Sequence, residues 1–208
     1  MTMPLRTLRR PSEPRHALAG VPRTVLIGGS AGAIEALGAL LPQLRAGVAL
    51  ALVVVVHLPA DQPSLLPEVF APRLPFDVAE AADKEPLRAG CLRFAPPGYH
   101  LLIEREGCFA LDLDAPVHFS RPSIDVLFSS AASALGADAI GVLLSGANDD
   151  GAAGLEAIWR AGGLTLVQHP ADARVATMPD AALARFRPAA VLGAADIGRY
   201  LSALESPT

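Results

Sequence analysis

With 208 residues, a formal net charge of −4, 51% hydrophobic and 18% charged residues, the chain has the length of one domain and enough apolar material to bury a core without disulfides or metal. Those values exclude disorder over most of the length and argue against the broad basic face that nucleic acid requires. The longest apolar run, Val48 to Val56, stops at His57 after nine residues, less than half of a membrane-spanning helix, so no membrane insertion is expected. Two cysteines, Cys91 and Cys108, and no secretory signal point to a reducing cytoplasm and to thiols that only fill space.

In chain order, residues 1–20 carry Arg6, Arg9, Arg10 and Arg15, with Pro4, Pro11 and Pro14 interrupting any helix. They read as a basic flexible tail ahead of a single domain over 21–208. Thr24 to Ile27 is a β-branched apolar run that meets Gly28-Gly29-Ser30-Ala31-Gly32, after which Ile34, Leu37 and Leu41 recur at helical spacing up to Pro42; the pattern is strand, tight turn, helix. Leu50 to Val56 is apolar on both faces, as a parallel strand covered by helices should be, and a loop marked by Pro59 and Pro63 follows it. Cys91 to Phe94 and Leu101 to Glu104 read as strands, and Glu106-Gly107 turns the chain into alternating Phe109, Leu111 and Leu113, which predicts a small antiparallel hairpin.

Ser123 to Leu135 places Ile124, Leu127, Phe128, Ala131 and Leu135 on one helical stripe,. The strand Ala139 to Leu144, a turn over Gly146 to Gly151, a helix from Ala152 to Trp159 and the strand Leu164 to Gln168 complete the alternation. The fold class expected is α/β: a three-layer, doubly wound, mainly parallel sheet with the antiparallel hairpin inserted near an edge.

Working residues in such sheets gather at the carboxyl ends of strands. Ser30 follows the first strand, His57 ends the second, and Asp150 lies in the loop after Ala139 to Leu144. Serine, histidine and aspartate are the residue types of a nucleophile, its base and the carboxylate that fixes the tautomer of that base. Ser30 sits in a G-x-S-x-G stretch, whose glycines permit a sharp strand-to-helix turn. Backbone amides at Ala31, where the helix begins, and at Ala147 are the candidate oxyanion donors.

Other readings of the same residues stay open. A glycine-rich turn equally suits a phosphate loop, which would make the chain a dinucleotide or phosphate binder, although His57 rather than an acid closes the second strand. A histidine at a strand end is often a plain loop residue, and Asp149-Asp150-Gly151 can be turn and helix-cap residues. A structural hydrogen bond is expected of His100, loop positions of His118 and His169, and His16 belongs to the tail. Metal-ligand spacings are missing, so neither a metal nor another cofactor is expected.

Several stretches together resemble one family in its own order: Ile27-Gly28-Gly29-Ser30-Ala31-Gly32, Val55-Val56-His57-Leu58-Pro59, Ala95-Pro96-Pro97-Gly98-Tyr99-His100-Leu101, Arg121-Pro122-Ser123-Ile124-Asp125-Val126-Leu127-Phe128, Ser145-Gly146-Ala147-Asn148-Asp149-Asp150-Gly151, and Met178-Pro179. From about Thr24 to Leu201 the chain is similar to the catalytic domain of the chemotaxis protein-glutamate methylesterases, the CheB family. The resemblance implies a cytoplasmic serine esterase without cofactor, with Ser30 as nucleophile, His57 as base and Asp150 as its orienting partner. Its implied partner is a methylated, helical, receptor-type protein, on which glutamines could also be deamidated. Family members commonly read T-G-M-G-x-D-G at the aspartate loop and glycine before Met-Pro. Here Ala147 and Asn148 stand in the loop and Thr177 before Met178, which predicts an altered loop geometry and leaves a catalytically weakened regulatory or binding module as the alternative. Typical members also carry an amino-terminal receiver, which residues 1–20 are too few to form, so a stand-alone domain is expected.

Overall fold

The computed structural model describes residues 21–58 and 63–204. The basic tail expected over residues 1–20, and Pro59 of the second motif, lie outside the described residues.

Seven strands form one parallel sheet: β1 (Arg23–Gly29), β2 (Leu50–Val56), β3 (Asp77–Glu80), β4 (Cys91–Phe94), β7 (Ala139–Leu143), β8 (Leu164–Gln168) and β9 (Ala190–Leu192), in the order β3-β4-β2-β1-β7-β8-β9. β5 (His100–Ile103) and β6 (Phe109–Asp112) make the antiparallel hairpin as a separate two-stranded sheet. Every residue of β2 is buried, which is what a strand covered on both faces requires. Helices α1 (Ala33–Leu40), α2 (Leu66–Phe70) and α6 (Ala194–Ala203) cover one face around Val25, Ile27, Leu52, Val54 and Val142. Helices α3 (Ile124–Leu135), α4 (Ala152–Arg160) and α5 (Thr177–Arg185), with the hairpin, cover the other around Leu26, Val53, Val55 and Leu143. The sheet is therefore doubly wound and three layers deep, as the alternation of elements predicts.

The five apolar residues predicted to share one stripe of α3 are the ones it buries. In α1 the buried set is Ala33, Ala36, Leu37 and Leu40, while Ile34 is about half exposed. The expected stripe through Ile34 is thus corrected: small alanines take the sheet-facing positions beside the glycine-rich turn. The thiols are not mere filler either. Both are half-buried, and Cys108 Sγ donates to Glu104 Oε2 at 3.1 Å, on a carboxylate that also pairs with Lys84.

From β1 the chain crosses to β2 on one side, and from β7 it crosses to β8 on the other. The crossovers diverge between the adjacent strands β1 and β7, which opens a crevice at their carboxyl ends. Both strands leave the sheet by way of a left-handed glycine at a helix N-cap, Gly32 with φ +86° before α1 and Gly151 with φ +92° before α4. A Cβ at Gly32 would lie 2.7 Å from both Arg174 Cβ and Ser145 Oγ, so this turn needs glycine for its backbone angle and for its close packing.

Candidate active site

The pairing Gly29↔Val56 ends the register of β1 with β2, and one step further along sit Ser30 and His57. Neighbouring strands run roughly 4.8 Å apart, so the two residues leave the sheet side by side. Ser30 is half-buried, and its amide donates to Ser145 O at 2.9 Å. Between the Ser30 and His57 side chains there is no hydrogen bond among the described residues.

Asp150 is buried and meets His57 directly, with Nε2 to Oδ2 at 2.8 Å. It is also held by the start of α3. Ser123 Oγ donates to Oδ1 at 2.8 Å, Asp125 N to Oδ1 at 2.9 Å and Ile124 N to Oδ2 at 2.8 Å. The carboxylate thus caps the N-terminus of α3 as well as the imidazole, which suits a negative charge at the positive end of a helix. Burial pushes its pKa up, but the donors from His57, the α3 amides and Ser123 outweigh burial and hold the carboxyl below its ordinary value,.

This seat decides the state of the ring. A carboxylate only accepts, so Nε2 carries a proton, and in the neutral form of the ring Nδ1 holds the lone pair. Ser120 Oγ lies 3.3 Å from Nδ1 and 3.4 Å from His118 O. His57, Leu58, Pro116, Phe119, Ser120, Arg121 and Pro122 enclose a cavity of about 270 Å³.

The oxyanion candidates stand on either side of the β1–β7 junction. Ala31 and Ala147 are exposed, and among the described residues neither amide has an internal partner. Ser145 ties their loops together. Its hydroxyl donates to Ala31 O at 2.7 Å and is 3.1 Å from Val175 O, while Val175 N donates to it at 2.8 Å. Gly146 N to Val175 O and Met178 N to Gly146 O extend the clamp to the start of α5. The departures fit this frame. Asn148 is outside the left-handed region and instead accepts from Asp150 N at 3.3 Å through Oδ1, so a side-chain turn does there what glycine's freedom could have done. Thr177 is the exposed first residue of α5.

Around this core lie residues that sequence reasoning missed. His118 stands in a loop as expected, but its ring bridges two carboxylates, Asp125 Oδ2 at 3.5 Å and Asp149 Oδ1 at 3.3 Å. Burial, the largest influence, raises the Asp125 pKa. His118, Asp125 and Asp150 offer ligand atoms within 4.8 Å of one another, but four donors already fill the Asp150 oxygens, and the remaining two side chains fall short of the usual three protein ligands. His100 is structural: Nδ1 accepts from Ser123 N at 3.1 Å and Nε2 donates to Ala115 O at 3.1 Å. The helix-cap role of Ser123 was legible from its place before the apolar stripe; Ser120 had no comparable signal.

A family model described as CheB methylesterase matches residues 25–201. The chain belongs to the CheB methylesterase family. A Leptospira interrogans relative, whose name of protein-glutamate methylesterase/protein-glutamine glutaminase is provisional, is 41% identical over 159 residues, 76% of this chain and 82% of that one. A Symbiobacterium thermophilum protein-glutamate methylesterase/protein-glutamine glutaminase is 36% identical over 180 residues, 81% of this chain and 50% of that one. The crystal structure of the Thermotoga maritima CheB methylesterase catalytic domain superposes with a TM-score of 0.84 at 27% identity, covering 88% of this chain and 98% of that one. The chain spans about half the length of several curated CheB relatives that it matches. Among the described residues, no helix is long and apolar enough to cross a membrane.

Proposed function

We propose that this CheB-family chain hydrolyses methyl esters of glutamate side chains on a receptor-type protein, with Ser30, His57 and Asp150 as the catalytic group. The observation that carries the reading is the Asp150 seat, a buried carboxylate 2.8 Å from Nε2 of a histidine that leaves the sheet beside Ser30 with its Nδ1 turned away from that carboxylate. The reaction requires the Ser30 hydroxyl to take the place that Ser120 holds at that nitrogen. Ser30 Oγ attacks the ester carbonyl carbon as its proton passes to Nδ1. Asp150 stabilises the imidazolium, and the amides of Ala31 and Ala147 receive the oxyanion. Collapse breaks the bond to methoxide, which takes the proton from Nδ1 and leaves as methanol. Water then repeats the sequence on the acyl-serine and releases the glutamate carboxylate. A glutamine side chain would follow the same route with ammonia as the leaving group.

The test is methanol release from a methylated chemoreceptor cytoplasmic fragment, with fluorophosphonate labelling of the protein in parallel. Wild type releases methanol and is labelled at Ser30, and Ser30→Ala does neither, its turnover falling by several orders of magnitude. Equal release by the two proteins, or an unlabelled Ser30 in wild type, would overturn the assignment in favour of a regulatory or binding module.

A further inference from the structure

The cavity at His57 measures about 270 Å³, below the roughly 300–1,000 Å³ of pockets that take drug-sized ligands. It accommodates a side chain, so most of a substrate's contact must fall outside it, on whatever surrounds the mouth. Phe119 lines this cavity at its edge and extends from it into solvent. It is the most exposed large hydrophobic residue among those described, and no aromatic ring packs on it among the described residues. By contrast Trp159, also exposed, stacks on Phe186 with ring centroids 5.6 Å apart. Two backbone features hold Phe119 out. Val117 and Ser120 exchange hydrogen bonds of 3.1 and 2.8 Å across a tight turn, and both residues between them, His118 at φ +48° and Phe119 at φ +60°, lie in the left-handed region that bulky residues avoid,. Side-chain exposure and backbone strain thus coincide at one residue, adjacent in sequence to the serine on His57 Nδ1. Strain of this kind persists where the surroundings impose it, and it clusters at ligand clamps.

We propose that Phe119 is a specificity-determining residue of the esterase site: its ring is the ledge on which an apolar residue of the protein substrate docks while the neighbouring esterified side chain enters the His57 cavity. This rests on the esterase reading above. Aromatic residues at the centre of a contact commonly dominate its energy because they bury a large rigid surface at little entropic cost. A free small ester occupies the cavity without covering the solvent-facing side of the ring, so Phe119 contributes more to a protein ester than to a small one.

The experiment compares kcat/KM for a methylated chemoreceptor cytoplasmic fragment with that for p-nitrophenyl acetate, in wild type, Phe119→Ala and Phe119→Asn. Asparagine suits the left-handed region, so this variant keeps the turn while removing the ring, and its melting temperature reports that the fold is intact. The ratio of protein-ester to small-ester kcat/KM is expected to fall about tenfold in both variants, with Phe119→Leu retaining part of it. A ratio unchanged in Phe119→Asn, or both activities falling by the same factor, overturns the ledge while leaving the esterase reading in place. Wild type that releases no methanol from the methylated fragment overturns both.

Discussion

The two sides of His57 are built on opposite principles. On the Nε2 side, Asp150 is buried and receives four donors from His57, Ser123 and the first amides of α3. Apart from His57, which follows directly on β2, each of its partners belongs to α3 or is its cap. On the Nδ1 side, residues 116–121 form an exposed loop with two strained angles, and its contact to the ring is a single hydroxyl at 3.3 Å. Fixed charge that must not reorganise during a reaction belongs on the first kind of scaffold. A surface that meets a variable partner, and that gives up a hydrogen bond when the nucleophile takes its place, belongs on the second. The imidazole is held from behind by the fold and approached from the front by a loop.

The largest expected effect comes from breaking the rigid side. Asp150→Asn keeps the shape but must point an amide at donors, either at Ser123 Oγ and Asp125 N or at His57 and Ile124 N. Loss of the productive tautomer should lower kcat for methyl-ester hydrolysis by about 10⁴. The mismatched donors should also cost about 1–3 kcal/mol of stability at neutral pH, measured by urea unfolding. Because the folded-state pKa of Asp150 is depressed, its contribution is fully present above the ordinary aspartate value of about 3.9 and is lost as pH falls through the lower folded value. The gap in stability between wild type and Asp150→Asn should therefore be widest above about pH 4 and narrow below it. A gap that does not change with pH would mean that the carboxylate's charge is not what the α3 terminus holds.

A smaller effect is expected from Ser145, which belongs to the rigid side by construction but touches only backbone. Ser145→Ala deletes the tie between the Ser30 turn and the Val175 segment. The amides of Ala31 and Ala147, proposed to receive the oxyanion, are then free to drift, and misplacement of that order costs up to about 10²-fold in rate. The loss should fall on kcat, with KM nearly unchanged, and Ser145→Thr, the residue common in the CheB family, should restore most of it. A loss confined to KM would assign Ser145 to substrate binding instead.

The same division explains what could be read before the structure was seen. The sheet was legible because β2 and β7 are uninterrupted apolar runs and β1 and β8 are mostly apolar, and a run buried on both faces is a pattern of the sequence alone,. Ser30, His57 and Asp150 were legible because strand ends and glycine turns locate them. β3, with no fully buried residue, and the five-residue α2 carry too little periodicity to register, and short elements are decided by their tertiary neighbours. His118, Phe119 and Ser120 form a tight turn whose two positive φ angles fall on residues that carry no turn signal, and its side chains meet Asp149 and His57 far along the chain, so this loop was the least predictable part of the site. Ser145 was visible within a motif, but the two residues its hydroxyl joins, Ala31 and Val175, are 30 or more positions away in sequence, beyond any local pattern.

The smallest expected effect tests whether the loop is energetically separate from the seat. His118 sits between Asp125 and Asp149 at 3.5 and 3.3 Å, with its own side chain and that of Asp149 well exposed. With the ring protonated, ion pairs in such positions contribute about 0–1 kcal/mol and weaken with salt. Asparagine at position 118 gives up those pairs but relieves the strain of a histidine at φ +48°, since it tolerates the left-handed region far better. The two changes oppose each other, so His118→Asn should move unfolding stability by no more than about 1 kcal/mol in either direction at low salt. At about 0.5 M salt, where the ion pairs are screened, the variant should gain relative to wild type. Turnover of a small ester should stay close to that of wild type, because the Asp150 donors do not pass through His118. If His118→Asn instead cost several kcal/mol and lowered turnover, the loop and the seat would be one cooperative unit, and residues 116–121 would have to be counted among the supports of the imidazole.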